Sequence, residues 1–344
     1  MTAAPTKLRV PRGLGFDRFS GLYLLGLFIV VFSIWEPKLF PTMSTLHSVA
    51  ANKAISGILA LAILVPLVAG VYDLSVGATI NITAIIAVKL VKDGRGIPVA
   101  ILIAVLVGAL IGVVNGFIVV RLKVNSFITT LGMGSIISAF QVIVTKNRQP
   151  LPPNLPSWNN LTQTTVFGFQ IVVLYLLVIA AFVWWVLACT PAGRYLYAIG
   201  SSPDAARLSG VRVNRFTWLS LVASGTLAGI AGVLFGSLAG PSLSFGGSLL
   251  LPAFAAVFLG STQITPGRFN VWGSVLSIYV LAVGVRGLGL VTDVQWLDPM
   301  FSGVALIAAV AVALARQRAT EERKRRELSS HPRSSLQPID ATVA

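Results

Sequence analysis

Charge is what this chain has least of. Only 11% of its 344 residues are Asp, Glu, Lys or Arg, where a soluble domain carries about a quarter. A water-facing surface cannot be built from so little charge, so a soluble globular fold is excluded. Acids are scarcest: Asp17, Glu36, Asp73, Asp93, Asp204, Asp293, Asp298, Glu321, Glu322, Glu327 and Asp340, with long uncharged stretches between them. The single cysteine, Cys189, excludes an internal disulfide and a cysteine-built metal site. The two histidines, His47 and His331, stand far apart, which argues against a histidine metal centre. No G-x-x-x-x-G-K-[ST] occurs, so the chain does not cradle nucleotide phosphates in a P-loop. H-E-x-x-H and G-x-S-x-G are missing too, and no Ser/His or paired-acid arrangement falls inside the apolar runs. An intramembrane enzyme is disfavoured on those grounds.

What is there is apolar. Hydrophobic residues make up 55% of the chain and the mean hydropathy is +0.85. Runs near 20–35, 48–71, 74–91, 97–120, 126–145, 169–189, 216–239, 249–264, 271–290 and 299–315 are long and almost free of charge. Runs of this kind read as transmembrane helices. The expected fold is therefore all-α, a polytopic transmembrane helical bundle of about ten spans. The runs 74–91 and 249–264 are short or interrupted and are candidates for re-entrant segments. The first nineteen residues are polar and basic, and no small-residue cleavage site follows the next run, so 20–35 is expected to be a retained span. The stretch 146–168 is polar and proline-rich and is expected to be a loop outside the hydrocarbon. The organisation expected is a segment 1–19, a membrane body 20–315 with a polar loop at 190–215, and a basic tail 316–344 that frays into disorder.

Orientation follows from the basic residues. With ten spans and the N-terminus inside, eighteen Lys and Arg fall on inside segments and seven outside, with Lys53 within a span. The inside set includes Arg121, Lys123, Arg194, Arg207, Arg212, Arg215, Arg268 and the tail. The positive-inside rule then places both termini in the cytoplasm. The cluster Lys89, Lys92 and Arg95 runs against it. A net charge of +15 would suggest nucleic acid for a soluble protein. Here it records topology and contact with anionic lipid, and no nucleic-acid partner is expected.

Polar residues inside the runs are the functional candidates. Asp73, in GVYDLSVGA (70–78), is the one carboxylate at hydrocarbon depth. An Asp at the centre of a spanning helix costs about 2.5–3.5 kcal/mol on insertion scales, so it must face protein, a watery cavity or a boundary. Pro66, Gly70 and Gly77 around it suggest a helix interrupted where backbone is covered. Two readings follow: a residue of the solute pathway, or a cap in which Asp73 or Ser75 accepts from the first amides of the next helix. Asn81, Thr83, Asn115, Asn125, Ser126, Thr129 and Thr130 are uncharged groups able to bond sugar hydroxyls or, alternatively, to tie helices together. In TPAGRYLYAIGSSPDAARLSGVRVNR (190–215), Ser202-Pro203-Asp204 starts a short helix and Gly210 stops it. That gives a rigid contact surface between two spans.

DLSVGA (73–78), NGFIVVRLKVNSFITTLGM (115–133), GRYLYAIGSSPDAARLSGVRV (193–213) and LPAFAAVFLGSTQITPGRFNVWGSVLS (251–277) resemble the monosaccharide branch of ABC importer permeases, which includes ribose, xylose, arabinose and autoinducer-2 permeases. The matches keep the same order over most of residues 45–315. The resemblance implies the permease subunit of an ATP-driven importer in a prokaryotic plasma membrane, not itself an enzyme. It implies a second permease copy, cytoplasmic ATP-binding subunits that hold the ATP, an extracytoplasmic solute-binding protein, and a sugar-like solute. This chain would need no cofactor or metal of its own. The resemblance further implies that Arg194, Tyr197, Gly200, Asp204, Ala205, Ala206, Ser209 and Gly210 couple to the ATPase, and it places Asp73, Ser75, Asn115, Asn125, Phe127 and Thr130 on the membrane motifs. Ser201-Ser202-Pro203 departs from the Gly-Asn-Glu/Pro type of relatives, and the tail after Arg316 is long for the family. The competing class is a transporter driven by an ion gradient. Proton relays of that kind use intramembrane Asp, Glu or His, of which this chain offers essentially Asp73.

Overall fold

The computed structural model describes residues 16–312 except Asp293, Gln295 and Asp298, and also residue 315. Most of the expected N-terminal segment and all of the tail 316–344 lie outside the described residues. The elements are α1 (Phe16–Trp35), α2 (Met43–Val68), α3 (Val76–Lys92), α4 (Ile97–Arg121), α5 (Ser126–Thr145), α6 (Pro156–Gln163), the hairpin β1 (Thr165–Val166) with β2 (Phe169–Gln170), and α7 (Ile171–Trp184), which continues as a π-helical turn Trp185–Cys189. Then come α8 (Pro191–Ser201), α9 (Pro203–Leu208), α10 (Val213–Leu238), α11 (Phe245–Gly260), α12 (Val271–Thr292) and α13 (Pro299–Val312).

The expected apolar runs all fall on helices, but they are not equal. Among the described residues, six helices are long and apolar enough to cross a membrane: α2, α4, α5, α7 with its π turn, α10 and α12. The apolar helices of α1, α11 and α13 are shorter, and α3 has 17 residues. Six candidate crossings, then, are established by length, where about ten spans were expected.

Sequence decides which helices lie inside the bundle. α2 is apolar on every side and is buried without a break from Ala54 to Val68, as a helix without a polar face must be when protein surrounds it. α4 is more apolar still, yet its buried residues are Ala100, Ala104, Gly108, Gly112, Asn115 and Gly116. Asn115 apart, this is a stripe at four-residue spacing, made of the smallest side chains. Leu102, Leu106 and Leu110 on its other faces are 56–60% exposed, which suits lipid and not water. The buried stripe meets α10. A β-carbon on Gly112 would overlap the carbonyl oxygen of Leu221, and one on Gly225 would overlap that of Gly108. Trp218 closes the same seam, its ring against Gly116 and its Nε1 donating to the Val113 carbonyl at 3.1 Å.

Two stretches expected to be loops are more ordered. Within 146–168 the chain forms α6 and the start of the hairpin, because Trp158 is fully buried and anchors α6 to the end of α10. Its Nε1 donates to the Gly236 carbonyl at 3.2 Å, and the hydroxyls of Thr162 and Ser237 bond at 2.9 Å. The loop 190–215 holds two helices, α8 and α9, where one was expected.

Replacing Gly112 with Leu should force α4 and α10 apart. Overpacking costs typically about 1–3 kcal/mol, occasionally more, and here the obstacle is backbone. Gly132 in α5 has open space around it. Monodisperse protein recovered after extraction should fall sharply for Gly112→Leu and stay near wild type for Gly132→Leu.

Candidate functional site

Residues 69–75 carry the chain from α2 to α3 without helix. Gly70, at φ +74°, makes the turn in the left-handed region that glycine enters freely. Inside a bilayer such a break survives only if its backbone groups find partners in protein. α5 supplies them. The Tyr72 amide donates to Ser126 Oγ at 3.2 Å and the Leu74 amide to Thr130 Oγ1 at 3.0 Å. Gln141 Nε2 donates to the Ala78 carbonyl in the first turn of α3 at 3.0 Å.

Asp73 sits in this break and is fully buried. Its Oδ1 accepts from the Ser75 amide at 3.0 Å and from the Ser75 hydroxyl at 2.6 Å. The Ser75 oxygen in turn accepts from Asn115 Nδ2 at 2.8 Å. A chain of three polar side chains therefore links α4 to the carboxylate. Ser224 faces the same carboxylate from α10, without an aligned hydrogen bond. Since α10 runs from Val213 to Leu238, Asp73 lies level with the middle of a spanning helix. Asp73 Oδ2, Asn115 Oδ1 and Ser224 Oγ are buried polar atoms still without a hydrogen-bond partner.

The capping expectation is corrected here. Ser75 is the N-cap of α3 but makes no side-chain cap bond. Asp73 accepts from Ser75 itself, an Asx-type turn that shapes the break and does not cap α3.

Where α3 begins, α11 begins too. Gly77 and Gly246 meet backbone to backbone, close enough that a β-carbon on Gly246 would overlap the Gly77 carbonyl. Asn81 binds the start of α11 in both directions, its Oδ1 accepting from the Gly246 amide at 2.8 Å and its Nδ2 donating to the Leu243 carbonyl at 3.1 Å. Two short helices thus start beside one another next to the buried polar cluster. Discontinuous helices of this kind place polar backbone at depth in transporters.

Of the expected membrane residues, Asp73, Ser75, Asn115 and Thr130 converge on the break. Asn125 instead caps α5, its Oδ1 accepting from the Phe127 amide at 2.9 Å, and the Phe127 side chain is 49% exposed. Asn81 and Ser126, also candidates from the sequence, hold backbone at the start of α11 and in the break, whereas Gln141 and Ser224 were not anticipated. Gln141 was findable as a lone amide in an apolar helix, but which backbone group it serves depends on tertiary packing.

The expected coupling residues lie on α8, α9 and the turn after them. Ser202 caps α9, accepting from the Ala205 amide at 3.3 Å. Gly210 ends it at φ +80°, and the Val211 amide donates back to the Ala206 carbonyl at 3.0 Å. Ala206 is buried, while Leu208 is 90% exposed. Asp204 pairs with Arg207 at 3.1 Å on an exposed face, so the pair contributes little. α8 is the anchored part. Tyr197 donates its hydroxyl to the Phe269 carbonyl, and the Arg268 guanidinium lies 3.6 Å above its ring. Burial pushes the Tyr197 phenol above its ordinary value, opposed by the Arg268 charge, so the donor is kept at physiological pH. At the other end, Gly200 packs on the root of the break: a β-carbon there would overlap the Val68 carbonyl. Arg194, Ala205 and Ser209 lie on the same helices and the turn after α9.

Comparisons with known proteins place the sequence among transport permeases. Residues 45–310 match the family described as branched-chain amino acid transport system / permease component. The fructose import permease protein of Rhizobium meliloti is 32% identical over 85% of this chain and 83% of its own length. The autoinducer 2 import system permease protein of Enterobacter sp. is 30% identical over 91% of this chain and 88% of its own. The ribose import permease protein of Haemophilus influenzae is 27% identical over 83% and 89%. No solved structure matches.

The Asn81 tie is directly testable. Asn81→Ala leaves the Gly246 amide and Leu243 carbonyl without their partner, and a buried orphan costs about 1–3 kcal/mol. Thr83→Val loses only bonds to carbonyls of its own helix. The melting temperature of the purified protein should drop by several degrees for Asn81→Ala and hardly move for Thr83→Val.

Proposed function

Because the chain belongs to the family of ABC importer permeases that includes the ribose, fructose and autoinducer 2 import permeases, we propose that it forms the translocation path for a monosaccharide-like solute and is driven by a separate ATP-binding subunit. Two copies of the permease, or this chain and a related one, would enclose the path, and an extracytoplasmic binding protein would deliver the solute. The side bearing α8 and α9 is taken as cytoplasmic, and both termini with it, in keeping with the excess of Lys and Arg there. On this reading the chain moves solute and does no covalent chemistry.

The observation that carries the coupling proposal is the contact of Gly200 with Val68. α9 offers the ATP-binding subunit a short helix with an exposed leucine at its end. α8 is held to the loop between α11 and α12 by Tyr197, and to the end of α2 by Gly200. A push on α9 that displaces α8 as a body therefore reaches the chain five residues before Asp73, without crossing the bundle. Two broken helices respond together, since Asn81 joins α3 to α11. The polar atoms left without partners at the break, Asp73 Oδ2, Asn115 Oδ1 and Ser224 Oγ, suit a solute rich in hydroxyls.

Uptake in proteoliposomes tests the reading. Together with the ATP-binding subunit and binding protein, solute should accumulate when ATP is supplied and not when only a proton or sodium gradient is imposed. Uptake on the gradient without the ATP-binding subunit would overturn it. Gly200→Val should lower ATP-driven uptake by tenfold or more, of order 1.4 kcal/mol in coupling, while ATP hydrolysis persists. Full uptake by that variant would remove α8 from the route.

A further inference from the structure

A recess of about 590 Å³ opens where α4 ends and α10 begins, lined by Val119, Val120, Lys123, Arg207, Asn214 and Thr217. Its polar groups are an ammonium, a guanidinium, a carboxamide and a hydroxyl. No carboxylate is among the lining residues; Asp204 holds Arg207 from an exposed position on α9. Lys123 stands at φ +56°, a left-handed conformation that a residue with a β-carbon seldom adopts. The chain reverses there between two spanning helices. The beginning of α10 adds the positive end of its dipole. The chemistry of the recess is that of an anion site, and a phosphate group offers the acceptors these donors require.

Its surroundings decide the source of the phosphate. Lys123 is followed and preceded by apolar residues that face outward: Leu122 is 59% exposed, Phe127 49% and Ile128 65%. These lie at the ends of α4 and α5, two helices with mostly exposed apolar surfaces. A cationic recess edged by lipid-facing side chains is placed where acyl chains give way to headgroups. A water-borne phosphate would not call for that edge.

We propose that this recess binds the phosphate headgroup of an anionic phospholipid, with Lys123 and Arg207 as its charged contacts and the exposed residues of the α4–α5 turn against its acyl chains. The proposal rests on the membrane reading of the fold and is independent of coupling to ATP. A lipid held there touches α9 through Arg207, so headgroup occupancy also steadies the contact surface of the proposed lever.

Native mass spectrometry of the full chain released from nanodiscs of mixed phosphatidylglycerol and phosphatidylcholine measures it. Wild type should retain phosphatidylglycerol in preference to phosphatidylcholine. Each basic residue at a membrane surface contributes a factor of about five, so Lys123→Gln with Arg207→Gln should weaken retention about twenty-five-fold. Lys89→Gln with Lys92→Gln removes the same charge at the opposite end of the bundle and should leave it unchanged. Lys123→Arg should retain the lipid and shows that loss is not misfolding. Equal retention by wild type and the Lys123/Arg207 double variant overturns the proposal, as does an equal loss in the Lys89/Lys92 control. Displacement of the lipid by millimolar inorganic phosphate would assign the recess to a soluble anion instead. Unchanged lipid retention with weakened capture of the ATP-binding subunit would make it a protein-docking face, and the lipid assignment would fail.

Discussion

Everything in this structure depends on one constraint: in apolar surroundings a backbone amide or carbonyl must find its partner within the protein. Regular helices meet it alone. The chain departs from helix at the level of the middle of α10, between α2 and α3, and there side chains take over. Ser126 and Thr130 stand four residues apart on α5, so both hydroxyls reach the same strand of backbone and accept from Tyr72 and Leu74. Asn81 does the same for the start of α11. The hydroxyls and amides scattered along the apolar runs are thus largely structural in their immediate role, and the break they permit is what has functional meaning.

The second organising feature is close approach. Helices in lipid gain little from burying apolar side chains against one another, because lipid is equally apolar, and packing of small residues decides which helices touch. The seams made by Gly108, Gly112, Gly225 and Gly229 between α4 and α10, and by Gly77 and Gly246 between α3 and α11, both follow this rule. Gly200 extends it beyond the spans. A glycine inside a helix costs about 0.5–1 kcal/mol relative to alanine, and α8 tolerates that cost where the Val68 carbonyl leaves no room for a side chain.

Much of this was legible from sequence, for identifiable reasons. Scarce charge and long apolar runs gave the class of fold, and Pro66, Gly70 and Asp73 together marked the break. Ser202, Pro203 and Gly210 marked both ends of α9, since capping chemistry is local. What sequence did not give is equally definite. α2 and α4 are both apolar, yet one is enclosed and the other faces outward, and only the higher hydropathy and the small-residue stripe of α4 hint at the difference. α6 was hidden because a polar, proline-rich segment reads as loop until Trp158 is seen to be buried. One of the two readings of the break had Asp73 or Ser75 cap α3, but the serine hydroxyl turns to the aspartate and to Asn115, a choice fixed by a helix forty residues away.

The magnitudes also say which part of the proposed lever is firm. The Asp204–Arg207 pair is open to water, and exposed pairs are worth about 0–1 kcal/mol. It cannot fix α9 in place. α8 carries a half-buried tyrosine that donates to a backbone carbonyl and stacks under a guanidinium, and a glycine seated on the end of α2. A force applied at α9 therefore meets a loose outer helix and a tightly seated inner one, and the inner one rests on the chain just before Asp73. A device built this way yields first at the surface and transmits at the root, so partner docking can adjust α9 without moving the break. Only displacement of α8 as a body reaches the buried cluster.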